Sequence, residues 1–481
     1  MREQLLIAAP ELWVLLMACV VMTVDVFTSR ERRGIIHLLV MLTLMFAAII
    51  TLRGDYHSGG TWAVTAFSET FIRDPMSDVL KLFSFAVMAL VYTYAKHYLR
   101  HFGLYRGDFY TLTLFALLGV MFLISANSLI TVYLGLELLS LSSYALVAFN
   151  RESKRGSESA MKYFVLGSMA SGLLLYGMSM VYGATGSLEL QTISETIRNG
   201  REGDVLLVFG LVFLVAGVAF KLGLAPFHMW VPDVYHGAPA AVTLFISTVP
   251  KLAAFAMAFR LLHSAMGPLH ADWQQMLVLL ALLSLAVGNF AAIMQTNIKR
   301  MLAYSTVSHM GFVLLGLLPA SAEGFGAAMF YVIAYALMSA AAFGVLILLS
   351  ADGVEAENLD DFKGLNHRNS WYAAIMAMVM FSMAGVPVFI GFFAKWLVIK
   401  AAIDAGLIVL AVAAVVFSVI GAFYYLRVIK LMYFDDPLND KAIEAPVDFG
   451  AAISLNGILM LGLGLFSSSL IAICMASFSY L

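Results

Sequence analysis

Apolar runs of roughly twenty residues recur along this chain, the length an α-helix needs to cross the hydrocarbon core of a bilayer. Nothing else constrains its fold as tightly. Charged residues are only 12% of the 481 positions, about half the share of a soluble domain, so the chain cannot cover itself with a solvated skin. Hydrophobic residues are 62% and the mean hydropathy is +0.91. The expected fold is an all-α integral membrane protein of about fourteen transmembrane helices. Their expected positions are 5–27, 35–52, 76–94, 109–126, 128–149, 158–182, 205–230, 238–263, 273–294, 300–318, 325–349, 371–403, 406–433 and 449–478, numbered here helices 1 to 14.

The first run, Leu5 to Phe27, does not read as a signal peptide. Its positive charges, Arg30, Arg32 and Arg33, follow the apolar stretch instead of preceding it. Cys19 and Cys474 both fall in apolar runs and read as small buried hydrophobes, with no disulfide or metal spacing. The net charge of −2 gives no footprint for nucleic acid. Between helices 2 and 3, a Gly-Gly followed by Thr61, Trp62, Ala63 and Val64 suggests a small surface hairpin.

Loop lysine and arginine set the orientation. One set of alternate loops carries most of them, including Arg30, Arg32, Arg33, Lys96, Arg100, Arg106, Arg151, Lys154, Arg155, Lys299 and Arg300. The other set, which includes the N-terminus, is poorer: Arg2, Arg53, Arg73, Arg198, Arg201, Arg260 and Lys400. This bias puts both termini outside, on the periplasmic side of an inner (plasma) membrane, as an even helix count requires.

A charge inside the membrane is costly and needs a reason. Glu137 sits mid-way along helix 5 in GLELLS, with Tyr133, Ser140 and Tyr144 on the same face. It is either a structural carboxylate or part of an ion path. Lys221 lies deep in helix 7, after about 24 Å of apolar helix, too deep to snorkel. Pro226 and His228 follow it closely, so the helix should open there. Lys251 follows Pro250 in helix 8, and Lys395 in helix 12 follows Gly385, Pro387 and Gly391. His309 in helix 10 is either a satisfied core histidine or a proton carrier. Lys162, one turn into helix 6, can snorkel and is, with His228 and His309, a second-tier candidate. Lys81 reads as structural.

The broken helices suggest duplication. Lys221 and Lys395 are 174 positions apart, and Glu137 and His309 are 172 apart. Helices 4–8 (109–263) and 9–13 (264–433) then form two five-helix units. They are preceded by helices 1–3 (1–108) and followed by helix 14 (434–481). Five is odd, so the second unit must be inverted, as in many secondary transporters. The expected product is a row of Glu137, Lys221, Lys251, His309 and Lys395 parallel to the membrane plane. Such groups suit protons: burial makes a lysine release its proton more readily, and a nearby carboxylate reverses this. There is no dinucleotide glycine fingerprint and no cysteine cluster.

Four strings carry a family resemblance: GLELLSLSSYAL at 135–146, FKLGLAPFHMWVPDVYHGAPAAVT at 220–243, QTNIKRMLAYSTVSHMGF at 295–312 and AGVPVFIGFFAKW at 384–396. In these, the chain resembles the antiporter-like membrane subunits of proton-pumping NADH:quinone oxidoreductase, respiratory complex I, over nearly its whole length. The resemblance implies that Glu137 and Lys221 form a proton-controlling pair, that Lys251 connects onward and that Lys395 is the terminal proton donor. It implies that NADH, FMN, iron–sulfur and quinone sites belong to partner subunits, with no cofactor in this chain. Among the branches, M typically has glutamate at the last position, where this chain has Lys395. The L branch carries a lateral helix beyond helix 14, whereas this chain ends at Leu481. Both favour the N branch, whose partners are the antiporter-like subunits M and L, small membrane subunits such as K, and the lipid bilayer. Two other readings stand beside it. One is a subunit of a multi-subunit monovalent cation/proton antiporter, and the other is a membrane anchor with vestigial charges.

Overall fold

The computed structural model describes residues 2–29, 32–53, 63–200, 203–350, 353–438 and 442–481. Arg30, Arg201, Thr61 and Trp62 lie outside the described residues. Among the described residues, twelve helices are long and apolar enough to cross a membrane, from Ala9–Phe27 to Val447–Leu465. Two further crossings complete the fourteen. One is helix 10, Ile298–Leu317. The other is helix 12, which is interrupted, as Ser370–Ala384 and Ile390–Asp404. Helix 7 is interrupted too, as Val205–Leu222 and Trp230–Gly237. Helix 8, Ala240–Ala265, and helix 11, Ala322–Leu349, are each buried along nearly their whole length. These two form the central axis, and the lipid-facing sides of the outer helices carry large apolar residues such as Leu134, Val409 and Val419.

The breaks have the same local cause. Gly223 and Gly385 end the two first halves in the left-handed region, at φ 82° and 91°. A side chain there would be strained, which is why glycine closes both helices. In each break the N–H after the glycine reaches back five residues, Leu224 to Ala219 O and Val386 to Phe381 O. Pro226 and Pro387 then prevent the helix from resuming at once.

Segments 119–189 and 288–358 repeat one another's contacts, at an offset other than the one raw spacing suggested. Ser128 caps helix 5 and pairs with Glu189, while Asn297 caps helix 10 and pairs with Asn358. Both members of each match are 169 positions apart. The bonds repeat as well: Leu129 N–H to Leu188 O and Ile298 N–H to Glu357 O. Gly119 packs against Gly135 and Leu139, and Gly288 against Tyr304 and Ser308, again 169 apart. In this register Glu137 matches Thr306, and His309 matches Ser140, one turn away from the match that raw spacing suggested.

Other expectations change with packing. The hairpin forms, as antiparallel strands Val64–Ala66 and Phe71–Arg73. Cys474 is buried, but Cys19 is exposed on the outer side of helix 1. Arg260, counted with the loops, lies buried in the last turns of helix 8, where it pairs with buried Asp74 at 2.7 Å. Arg73 is fully buried, with its guanidinium on Asp78 and Thr51 O. Lys81 pairs with Glu11 of helix 1 at 2.6 Å, both buried.

Candidate functional site

Helix ends inside the membrane leave carbonyls without partners and carry partial negative charge. Two lysines answer this in the same way. Lys251 Nζ donates to Leu222 O, the last residue of the first half of helix 7, at 2.9 Å. Lys395 Nζ donates to Ala384 O, the last residue of the first half of helix 12, also at 2.9 Å. Both carbonyls directly precede the closing glycine. Each ammonium also lies near an aromatic face, Lys251 5.3 Å from the Trp230 ring and Lys395 5.1 Å from that of Phe312. Lys395 further donates to Ser418 Oγ at 2.8 Å.

Lys221 ends one residue before this cap, on the side facing helix 5. Its Nζ donates to Ser140 Oγ at 3.0 Å. Ser140 lies one turn from Glu137 on helix 5. Glu137 is half-buried, and its Oε1 has no hydrogen-bond partner. The expected carboxylate–lysine pair is therefore not in direct contact: Lys221 bonds Ser140, one turn along helix 5 from Glu137. A cavity of about 10 Å³ between Ser140, Tyr144, Tyr163, Lys221 and Trp230 is close to the size of one water.

His309 is buried between two tyrosines. Its Nδ1 is 2.8 Å from Tyr331 Oη and its Nε2 2.9 Å from Tyr425 Oη. Tyr425 is in turn 2.5 Å from Ser305 Oγ. A ring held at both nitrogens by groups that donate or accept can pass a proton from one nitrogen side to the other. Phe312, one turn on from His309, carries the ring that faces Lys395.

The remaining sequence candidates fall outside this row. His228 lies in the helix 7 break, half-buried, with its ring 6.1 Å from that of Tyr304. The side chain of Lys162 is 47% exposed and pairs with Glu158 at 2.9 Å and Asp233 at 3.1 Å, so it snorkels. Sequence reasoning missed the tyrosines around His309, because an aromatic residue in an apolar helix reads as packing. Among the described residues no group of three or more His, Cys, Asp or Glu is placed to hold a metal ion.

At the lysine- and arginine-rich face, a cavity of about 390 Å³ opens beside Tyr98, Arg155, His236, Lys299, Glu355 and Glu357. Glu355 accepts from Lys299 at 2.8 Å, from the Ala240 N–H at 2.9 Å and from the Tyr98 hydroxyl. Burial pushes its carboxyl up, but these partners outweigh burial and hold it below the usual range. Burial likewise raises Glu357, and His236, Lys299 and Arg155 bring it down to about 2.

Residues 126–421 match the family described as NADH:quinone oxidoreductase/Mrp antiporter, TM. The chain is 52% identical over 472 residues to NADH-quinone oxidoreductase subunit N of Thioalkalivibrio sulfidiphilus, covering 98% of both chains. It is 53% identical over 467 residues to the subunit of that name from Thiobacillus denitrificans, covering 97% of this chain and 96% of that one. A chain of respiratory complex I from Thermus thermophilus with bound aureothin superposes with a TM-score of 0.81 at 31% identity, covering 96% of this chain and 98% of that chain. A chain of the Mrp complex from Dietzia sp. DQ12-45-1b superposes at 0.87, covering 99% of this chain and 97% of that chain. Its 19% identity makes this a likeness of fold.

Proposed function

The chain belongs to the NADH:quinone oxidoreductase/Mrp antiporter membrane family, on its subunit N branch, and from that premise we propose that Glu137, Lys221, Lys251, His309 and Lys395 carry protons through it. The protein is a proton-translocating membrane subunit of a bacterial NADH:quinone oxidoreductase. NADH, FMN, iron–sulfur clusters and quinone supply the electron transfer, and they reside in partner subunits. Its neighbours are the antiporter-like subunits M and L and small membrane subunits such as K, within the inner membrane. Both termini face the periplasm, a reading supported by the arginine and lysine bias of the opposite loops.

The carrying observation is the matched capping of two mid-membrane helix ends by Lys251 and Lys395. A lysine that bonds a helix-end carbonyl is stabilised when charged, while its apolar surroundings oppose that charge. Small shifts of Ser140, Glu137 or a broken-helix end therefore tip each lysine between holding and releasing a proton. Two units, 109–263 and 264–433, frame this row. The 169-residue register over helices 4–6 and 9–11 supports that division. Helices 1–3 (1–108) and helix 14 (434–481) flank it.

The test is made on the intact complex. Solubilised under mild conditions, this chain is expected to co-purify with flavin- and iron–sulfur-bearing partners. In vesicles, NADH oxidation with quinone drives proton uptake that is lost on Lys395→Ala, while NADH oxidation with an artificial acceptor continues. A sodium-dependent proton flux from the chain free of those partners would instead favour the cation antiporter reading.

A further inference from the structure

We infer that helix 11 carries the proton step between Lys251 and His309, through the hydroxyls of Ser339 and Tyr335, partnered by Ser247 and Thr306. The inference rests on the proton row proposed above and fills the step in it from helix 8, which carries Lys251, to helix 10, which carries His309. Helix 11 packs between them.

Hydroxyls line the whole path: they are in hydrogen-bond contact at two of its steps and three or four residues apart on a shared helix at the others. Ser247 lies four residues before Lys251 on helix 8, across a local break at Thr248. Ser339 Oγ donates to Ser247 Oγ at 3.0 Å. Tyr335 is one turn from Ser339 on the same helix, so the two side chains share a face. Tyr335 Oη is 2.6 Å from Thr306 Oγ1. Thr306 is one turn from His309 on helix 10, and the Tyr335 ring lies 5.2 Å from the imidazole. Ser247, Ser339, Tyr335, Thr306 and His309 are all buried.

Two features separate this from ordinary polar packing. A buried serine in a membrane helix usually satisfies itself on the carbonyl one turn back. Ser247 and Thr306 do so, on Leu244 O and Leu302 O. Ser339 instead turns its hydrogen across the helix interface, onto Ser247. In addition, each of these hydroxyls both donates and accepts. Once Ser247 and Thr306 turn their hydrogens from those carbonyls to the neighbouring hydroxyl, a proton arriving at one oxygen releases that group's own hydrogen to the next. The oxygens return to their starting state when the hydroxyls rotate back, so no covalent bond is changed at the end of a cycle and no other reactant is needed.

Ser339→Thr and Ser339→Val are nearly equal in size and differ in the hydroxyl. Each is introduced into the intact complex with Ser339→Ala, Tyr335→Phe and the Ser339→Ala/Tyr335→Phe pair. Subunit content and artificial-acceptor NADH oxidation check assembly. Coupled NADH:quinone turnover and proton uptake are read in vesicles, in water and in deuterium oxide. Ser339→Thr is expected to pump close to the parent. Ser339→Val, Ser339→Ala and Tyr335→Phe are expected to fall by about tenfold or more, with a larger solvent isotope effect because the proton step becomes limiting. The pair is expected to be no worse than the poorer single change, as links in series require. If Ser339→Val does not assemble, Ser339→Ala decides. Parent-like pumping by Ser339→Ala and Tyr335→Phe, with Lys395→Ala inactive in the same vesicles, overturns this relay and leaves the wider row standing. Parent-like pumping by all three overturns both.

Discussion

Lys251 and Lys395 sit on helices that are not counterparts, yet each donates to the carbonyl just before the glycine that closes a broken helix, Leu222 O and Ala384 O. The counterpart of Lys221 at the second break is Met383. The electrostatic likeness of the two breaks therefore lies in what caps them, and different chain positions supply the cap.

That geometry makes the two lysines alike in their tolerance. Replacing either with alanine removes a charge-assisted hydrogen bond, worth about 1.5–3 kcal/mol, and is expected to lower coupled pumping by about tenfold or more. Lys395→Glu is expected to fare no better than Lys395→Ala, since a carboxylate would set an acceptor against the Ala384 carbonyl. The readout is proton uptake per NADH oxidised, with artificial-acceptor oxidation as the control. Strong pumping by Lys395→Glu would show that titratability alone is what the position needs.

Ser140 should couple Glu137 to Lys221. Ser140→Ala leaves Lys221 without its acceptor, and Glu137→Gln removes the charge while keeping the size. Each is expected to reduce pumping, with Ser140→Thr largely preserving it. The double change should cost less than the two singles combined, because the three groups act as a unit. Simply additive losses would mean that Glu137 acts on some other group.

Arg260 and Asp74 form an ion pair in which both members are buried. Arg260→Met leaves Asp74 buried without its countercharge and is expected to destabilise the subunit by about 3–5 kcal/mol. Adding Asp74→Asn should recover most of this, since asparagine still caps helix 3. Assembled subunit content and the inactivation temperature of the solubilised complex measure the effect. Failure of the double change to recover would place the loss in the bond from Arg260 to Ile124 O.

The Glu357 cluster predicts a direction with pH. Its carboxyl is held down to about 2 by His236, Lys299 and Arg155 against the upward push of burial. A lowered carboxylate stabilises the fold fully above its unfolded value, about 4.3, and the effect fades as pH falls toward the folded value. Glu357→Gln should therefore unfold at lower temperature than the parent by a constant margin from about pH 5 to about pH 8, and the margin should close below about pH 4. A margin that widens on acidification would contradict this.

The sequence by itself determined the membrane class, the crossing count, the two broken helices and the identity of the buried lysines. Each follows from a local cause. Twenty apolar residues span a bilayer, glycine and proline stop a helix, and a lysine deep in such a run has nowhere else to go. The tertiary structure alone decided what those groups touch. Raw spacing matched Glu137 with His309, but loops of unequal length shift that count, and only the paired caps at Ser128 and Asn297 set the register at 169. Arg260 read as a loop cation because its partner, Asp74, is 186 positions away. Tyr331, Tyr335 and Tyr425 looked like core aromatics, since nothing in a one-dimensional pattern shows that three hydroxyls from two helices converge beside one imidazole. Composition and periodicity are properties of neighbours along the chain, whereas a proton path consists of neighbours across it.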